Sequence, residues 1–306
     1  MAHEISALII CGDRLDEVTR CLESLAKLGD RLHEILLLKN APKQPWGDNC
    51  FDLLPSAVRN LLQIISSEKQ VFPTTGRNLL AARATGAVYL FLDDDSMVLE
   101  RKGIEEGLRI LLHDKTVGSI AYPQSTEDGK LAPFMQPAPV DHACLTCGFM
   151  TCAALVRADV YQKLEGFQEL LQMAHEENEF CKRQWDLGYS VVYLPNACIC
   201  HNPSPNARNS RQRAKLNARN GWYQALLHEP LPLLCLTLIP RLVQGARYLR
   251  QANDWTEGKW FPLLSEGLQN LTTDLPSLLR ARKPLQWASL MRWQQIKKNY
   301  PPYQIA

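Results

Sequence analysis

Three acids in a row, Asp93-Asp94-Asp95, close an apolar run, Ala87-Val88-Tyr89-Leu90-Phe91-Leu92. Adjacent carboxylates repel one another, so grouping them at the end of a buried segment calls for a cation to share the site. In an extended segment the first and third side chains leave on the same side. Asp93 and Asp95 can therefore approach one divalent ion, Mg²⁺ or Mn²⁺, whose remaining positions stay open to phosphate oxygens. A solvated acidic turn is the competing reading, and the apolar run behind the triplet argues against it, because a solvated turn needs no buried strand to feed it.

A second acidic group, His175-Glu176-Glu177-Asn178-Glu179, opens a helical pattern. Carboxylates in a first turn are favoured by the helix dipole, and Glu179 stands at i,i+4 to Arg183, so N-terminal stabilisation alone would account for the group. The same block ends in Tyr193-Leu194-Pro195-Asn196-Ala197-Cys198-Ile199-Cys200-His201, a strand, a proline-bounded bend and an imidazole.

These residues need elements to place them. Ile5 to Ile10 and Glu34 to Leu38 read as buried strands, Leu15 to Leu28 as an amphipathic helix, Phe51 to Ile65 as a second and Arg77 to Thr85 as a third. The alternation predicts an α/β domain with a mainly parallel sheet, whose ligands sit at the carboxyl ends of strands. Short strands are expected at Gly118 to Tyr122, Thr151 to Val156 and Ser190 to Leu194, with a proline-broken binding loop between the first two. Beyond Asn202-Pro203-Ser204-Pro205-Asn206 only helical patterns follow: Arg208 to Leu227, Pro240 to Gln251, Leu263 to Arg282 and Trp287 to Lys298. The expected division is a catalytic domain over 1–205 and a helical, basic extension over 206–306.

Composition narrows the function classes. The chain has 306 residues, 46% of them hydrophobic, and a formal net charge of +2, which argues against disorder and against a dedicated nucleic-acid binder. That near-zero balance hides a basic tail, with ten Lys or Arg against four acids from Arg241 onward. No stretch reaches the roughly 18 apolar residues of a membrane span, and the start of the chain lacks the cationic and apolar regions of a signal peptide. Its ten cysteines are expected to be reduced and mostly buried in a cytoplasmic protein.

Four stretches together resemble the inverting family 2 glycosyltransferases of the GT-A fold. They are Cys21 to Leu25; Arg77-Asn78, then Ala84-Thr85-Gly86 and Asp93-Asp94-Asp95; Gly166-Phe167 through Glu176 to Glu179, Arg183 and Gly188-Tyr189; and Pro195 to His201. The helical tail and Arg219-Asn220 are similar to those of bacterial rhamnosyl- and galactofuranosyltransferases of surface polysaccharides. The resemblance implies a Rossmann-like sheet covered by helices on both faces. It implies that Asp93, Asp95 and His201 hold Mn²⁺ or Mg²⁺, that Asp93, Asp94, Arg77 and Asn40 contact the nucleotide-diphosphate sugar, and that Glu177, with Glu176 beside it, takes the proton from the acceptor hydroxyl. The acceptor it implies is a glycan or a polyprenyl-diphosphate-linked glycan at the inner face of the membrane. Two separated acidic clusters also suit a single displacement at an anomeric carbon, which needs a base on one side and charge neutralisation on the leaving diphosphate.

The sequence departs from the family at two places. Cys11-Gly12-Asp13-Arg14 replaces the usual Asn-Arg segment, and Lys39-Asn40-Ala41-Pro42 stands where an Asp usually reads the base. Lys39 cannot accept a hydrogen bond from a uracil or thymine N–H. Asp13 or a backbone carbonyl takes over, the donor nucleotide differs, or the chain is a non-catalytic platform that keeps the fold. A nucleotidyltransferase is a weaker alternative, because it would want a glycine-rich, lysine-bearing phosphate loop after the first strand. Cys144-x-x-Cys147, Cys152 and Cys198-x-Cys200 do not have the spacing of a zinc finger or ribbon. Arg208, Arg211, Arg213, Lys215 and Arg219 form either a diphosphate-binding or a solvated face. Trp255, Trp260, Phe261, Trp287 and Trp293 interleaved with tail cations suit a membrane surface.

Overall fold

The first apolar run forms β1 (Ile5–Cys11), which takes parallel partners on both sides, β2 (Leu32–Asn40) and β4 (Val88–Asp93). These belong to a computed structural model that describes residues 4–133, 136–203, 210–252 and 260–304. The remaining strands are β3 (Leu62–Ser67), β5 (Ser96–Val98), β6 (Val117–Ala121), β7 (Cys144–Leu145), β8 (Ala154–Arg157), β9 (Ser190–Tyr193) and β10 (Ile199–His201). Eight of them make one mixed sheet in the order β3-β2-β1-β4-β8-β6-β9-β7, with β8 antiparallel to both neighbours.

The central strands are buried on both faces, which is why they read as continuous apolar runs and not as alternating ones. One face is covered by α1 (Leu15–Ser24) and α4 (Arg101–His113), through Val18, Leu22, Ile104 and Leu108. The other is covered by α3 (Pro73–Ala81), α5 (Ala158–Lys163) and α6 (Glu176–Asp186). There Phe91, Tyr161, Phe167 and Phe180 stack with ring centroids from 5.1 Å to 5.7 Å apart. Each such pair adds about 0.5–1.5 kcal/mol beyond the burial itself.

The expected helix over Phe51 to Ile65 is not there. Pro55 interrupts it, leaving a four-residue α2 (Ser56–Arg59), and the chain then extends into β3. Ile35 to Asn40 of β2 pair with Leu62 to Ser67, so edge pairing of the sheet outweighs the local helical spacing. The third helix is displaced rather than absent. It starts at Pro73, whose fixed φ suits a first helical position.

The C-terminal helices are α7 (Ser210–His228), α8 (Leu231–Gln251), α9 (Trp260–Ala281) and α10 (Trp287–Asn299). The expected domain boundary at 205/206 and Trp255 lie outside the described residues, as does Arg208. Trp222 of α7 is the hub of this layer: its indole lies against Gly245 of α8 and Gly267 of α9, where any Cβ would crowd the ring. Trp293, expected at a membrane surface, is instead 8% exposed and packs with Ile296 into the core beside α6.

A buried ion cluster fastens this layer to the sheet domain. Glu179 of α6 is fully buried, accepts from Arg183 Nε at 2.6 Å and lies 2.7 Å from Nε2 of His228 at the end of α7. Burial opposes its charge, but Arg183 and His228 overcome that and hold Glu179 down at about 2 from its ordinary 4.5. A carboxyl with a depressed folded-state pKa stabilises the fold above its unfolded pKa and loses that contribution as pH falls toward the folded value. Denaturant unfolding should therefore show stability draining between pH 4.5 and 2, by up to about 3 kcal/mol from this group. The Glu179→Gln protein should show a shallower acid dependence; an identical pH profile would remove Glu179 from the account.

Candidate active site

The acidic triplet ends β4 at the carboxyl edge of the sheet, and its chain turns directly into β5. β5 pairs antiparallel with β10, and the register sets His201 opposite Ser96. That pairing brings an imidazole from far along the sequence to the triplet. Ligand atoms of Asp93, Asp95 and His201 lie within 4.8 Å of one another, the one group of three His, Cys, Asp or Glu residues so placed among those described. Nδ1 of His201 is 2.7 Å from Oε1 of Gln124, and Nε2 faces Asp95 Oδ1 at 3.4 Å. Two carboxylates, which are hard donors, with one borderline imidazole nitrogen suit Mn²⁺ or Mg²⁺, and a hydrogen bond on the far ring nitrogen is the usual support of a histidine ligand. The residues fit the ion.

Asp94 points elsewhere. It is 2% exposed and is bound by Arg14, whose Nε donates to Oδ2 at 3.0 Å and whose NH2 reaches Oδ1. NH1 of the same guanidinium donates to Asp95 Oδ2 at 2.6 Å. Burial nevertheless pushes Asp94 up to about 7, against the pull of Arg14 and with Asp95 and Asp93 adding to the rise. Two guanidiniums, Arg14 and, on Asp93, Arg77, face the three acids, so the triplet keeps a formal negative excess that a divalent ion on Asp93 and Asp95 would meet. Arg14 is a site residue that the sequence offered only as a departure from a motif; its long-range pairing carries no local signal.

Arg77 connects the two acidic groups. It is 7% exposed on α3, with NH2 donating to Asp93 Oδ1 at 3.0 Å and NH1 to Glu176 Oε1 at 3.4 Å. Although burial disfavours its charge, Asp93, then Glu176 and Glu177, keep the guanidinium firmly protonated. Glu176 is itself 4% exposed, with Oε2 buried and unpartnered, and burial followed by the charge of Glu177 drives its carboxyl well above the ordinary range. Glu177 differs: it is only partly buried, and its Oε1 accepts from Thr151 Oγ1 at 3.0 Å. The adjacent pair thus divides into an enclosed carboxyl behind Arg77 and an accessible one.

Asn40, one of the expected donor contacts, and the residues around it are engaged within the protein. Asn40 exchanges hydrogen bonds with the backbone of Val71, at 3.0 Å and 2.8 Å, so it fixes the segment that leads into α3. Lys39 lies 5.3 Å from the ring of Trp46, and that indole donates to Gly12 O. Asp13 is exposed and accepts from Lys43 N at 2.6 Å.

The loop before α6 is held from three sides. Gln172, Ala174 and His175 all have φ between 65° and 69°, a left-handed region that residues with a Cβ occupy at a cost. Asn220 of α7 donates to the carbonyls of Leu171, Met173 and Ala174 at 2.7–2.8 Å, and Arg219 to those of Leu170 and Leu171. Thr74 of α3 donates to Gln172 O. Arg219, 2% exposed and stacked 4.4 Å from Tyr223, therefore faces no phosphate, and Arg211 and Lys215 pair with Glu266. Asn78 closes the other end: its Oδ1 accepts from Phe167 N and Tyr161 OH, and any Cβ on Gly166, at φ +73°, would sit 2.4 Å from that oxygen.

No family model matches the chain, and no curated protein matches its sequence. Solved structures do match. The mannosyltransferase PcManGT of Pyrobaculum calidifontis, solved with GDP-Man and Mn²⁺, aligns at a TM-score of 0.54 and 13% identity over 98% of this chain and 88% of its own. S. aureus TarS 1-349, solved with UDP-GlcNAc, aligns at 0.57 and 14% identity over 97% and 91%. GalNAc-T7, solved with UDP, GalNAc and Mn²⁺, aligns at 0.63 and 15% identity over 98% of this chain, which spans 59% of that protein. The fold is GT-A. The α/β sheet with helices on both faces and the helical C-terminal region agree with the sequence reading.

The strained loop gives a test of the positioning role of α7. Asn220→Ala strands three carbonyls and should lower stability by about 1–3 kcal/mol, and hydrogen exchange of residues 172–177 should accelerate more than that of β1. Uniform acceleration across the chain would show that Asn220 has no local role.

Proposed function

We propose that this chain is a metal-dependent, inverting glycosyltransferase, similar to family 2 enzymes, that moves a sugar from a nucleotide-diphosphate donor to a hydroxyl of a glycan or polyprenyl-diphosphate-linked acceptor. The observation that carries the reading is the pairing of a candidate metal triad, Asp93, Asp95 and His201, with an accessible carboxylate, Glu177, through the shared guanidinium of Arg77. A divalent ion there, Mn²⁺ or Mg²⁺, would supply charge neutralisation on the leaving diphosphate.

The protein's own residues do the rest. Glu177, oriented by Thr151, accepts the proton from the acceptor hydroxyl as the new bond forms at the anomeric carbon on the face opposite the departing diphosphate, which inverts its configuration. Glu176 does not reach the acceptor; through Arg77 it fixes the position of the metal-side Asp93 relative to the base. Arg14 keeps Asp94 and one oxygen of Asp95 in place and leaves Asp95 Oδ1 turned to His201. Asp13 and the loop over Trp46, where Lys39 displaces the usual carboxylate, read the base. The nearest alternative, a non-catalytic platform, follows from the same Lys39–Trp46 contact if it closes the base pocket. The expected setting is bacterial surface-glycan synthesis at the cytoplasmic face of the membrane.

Glu177→Gln keeps the size and the Thr151 contact and removes the proton acceptor. Sugar transfer should fall about 10²–10⁴-fold, while calorimetric affinity for the donor with Mn²⁺ stays within about twofold. Wild-type transfer by the variant would place the base elsewhere, and absence of donor binding by the wild type would favour the platform.

A further inference from the structure

α8 turns an apolar face to solvent. Leu231 is 66% exposed, Leu236 75%, Ile239 70% and Val243 44%, and Cys235, Pro232 and Pro240 are exposed with them. At 100° per residue Pro232, Cys235, Leu236, Ile239, Val243, Arg247 and Arg250 fall within an arc of about 120°. Gly245 and Leu249 mark the opposite side, against Trp222 and the α7 layer. The stripe is thus apolar for three turns and ends in two exposed guanidiniums, over a length of about 27 Å. The whole helix contains no acid.

The neighbouring helix repeats the pattern. Phe261, Leu268, Leu275 and Leu279 of α9 are 66%, 39%, 38% and 56% exposed, at spacings that align them along one side, and Arg280 follows. The acids of α9 lie off this stripe, Glu266 in a surface pair with Arg211 and Lys215 of α7 and Asp274 bound by Tyr223. No described helix is long and apolar enough to cross a bilayer. Scattered exposed leucines need no explanation, but two adjacent stripes that end in cations mark an interaction surface.

We propose that the outward faces of α8 and α9 lie on an anionic lipid surface, with Leu236, Ile239, Val243 and Phe261 entering the acyl boundary and Arg247, Arg250 and Arg280 meeting phosphate head groups. Charge decides for lipid over a second copy of the chain. Exposed guanidiniums gain from head-group anions, whereas α8 set face to face with its own copy would bring arginines together with no acid between them. This surface overlaps the aromatic one expected from the sequence only at Phe261: Trp293 is in the core, and the exposed apolar side chains of α8 are aliphatic. The consequence for the site is positional, since α7 carries both the contacts to α8 and α9 and the Asn220 clamp on the loop before Glu176 and Glu177. The inference stands on surface composition and is independent of the transfer chemistry.

Flotation of the full chain with vesicles of phosphatidylcholine and phosphatidylglycerol in equal parts, and with phosphatidylcholine alone, tests it without donor or metal. The wild type should float with the anionic vesicles and only weakly with the neutral ones, and salt should reduce the difference. Leu236→Asp with Ile239→Asp, both at exposed positions, should cut the bound fraction about tenfold with an unchanged circular-dichroism melt, and Arg247→Glu with Arg250→Glu should remove the preference for anionic lipid. Equal flotation by the aspartate variant, or none by the wild type, would overturn the proposal. So would a wild-type dimer, seen by sedimentation velocity, that the aspartate variant dissolves in the absence of vesicle binding.

Discussion

A single buried guanidinium, Arg77, stands between two groups of carboxylates that could not otherwise share one cavity. Asp93 on one side and Glu176 on the other would repel across a low-dielectric interior, and each is tied to a further acid, Asp95 through the triplet and Glu177 through the helix. Removing one partner of a buried ion pair leaves an uncompensated charge, at about 3–5 kcal/mol. Arg77 therefore fixes the separation between the two groups of carboxylates. α3, α6 and β4 are all held to that separation, since Arg77, Glu176 and Asp93 belong to those three elements. Arg14 repeats the device at the first βα turn, and Arg183 pairs with Glu179 one turn away within α6, so each acid cluster has an arginine of its own.

The C-terminal helices are part of this arrangement. Through Asn220 and Arg219, α7 collects the carbonyls of a loop whose residues would relax from their left-handed conformations without it. Through His228 it meets the buried Glu179 one turn further along α6. The same helix receives α8 and α9 around Trp222. A change in how the outer helices are seated is thus mechanically connected to the first turn of α6, where Glu176 and Glu177 sit.

Legibility in the sequence followed the range of the interaction. β1, β2 and β4 announce themselves because strands buried on both faces are continuous apolar runs, and Asp93 to Asp95 stand out because their own neighbours are apolar. His201 was recognisable only by resemblance; its approach to Asp95 depends on the β5–β10 pairing, which no local pattern encodes. The segment over Phe51 to Ile65 misled because helical spacing of apolar residues also arises in a turn followed by an edge strand, and the unpaired side of β2 decided the outcome. The basic residues of α7 left a phosphate-binding and a solvated face as alternatives, yet Arg219 is buried on carbonyls, since a guanidinium serves a strained loop as well as it serves an anion. The apolar residues of α8 carry no sign in the sequence of which side is buried, and the packing of Gly245 on Trp222 shows which side faces solvent.

In the proposed reaction Asp93, Asp95 and His201 would hold the divalent ion that meets the nucleotide diphosphate. Isothermal titration of UDP and GDP into the wild type and into Asp95→Asn, each with Mn²⁺ and with EDTA, is the test. One of the nucleotides should bind the wild type only when Mn²⁺ is present, and Asp95→Asn should weaken this binding at least about tenfold, the cost of one lost charged ligand. Binding of equal strength in EDTA, or an unaltered affinity in Asp95→Asn, would contradict this assignment.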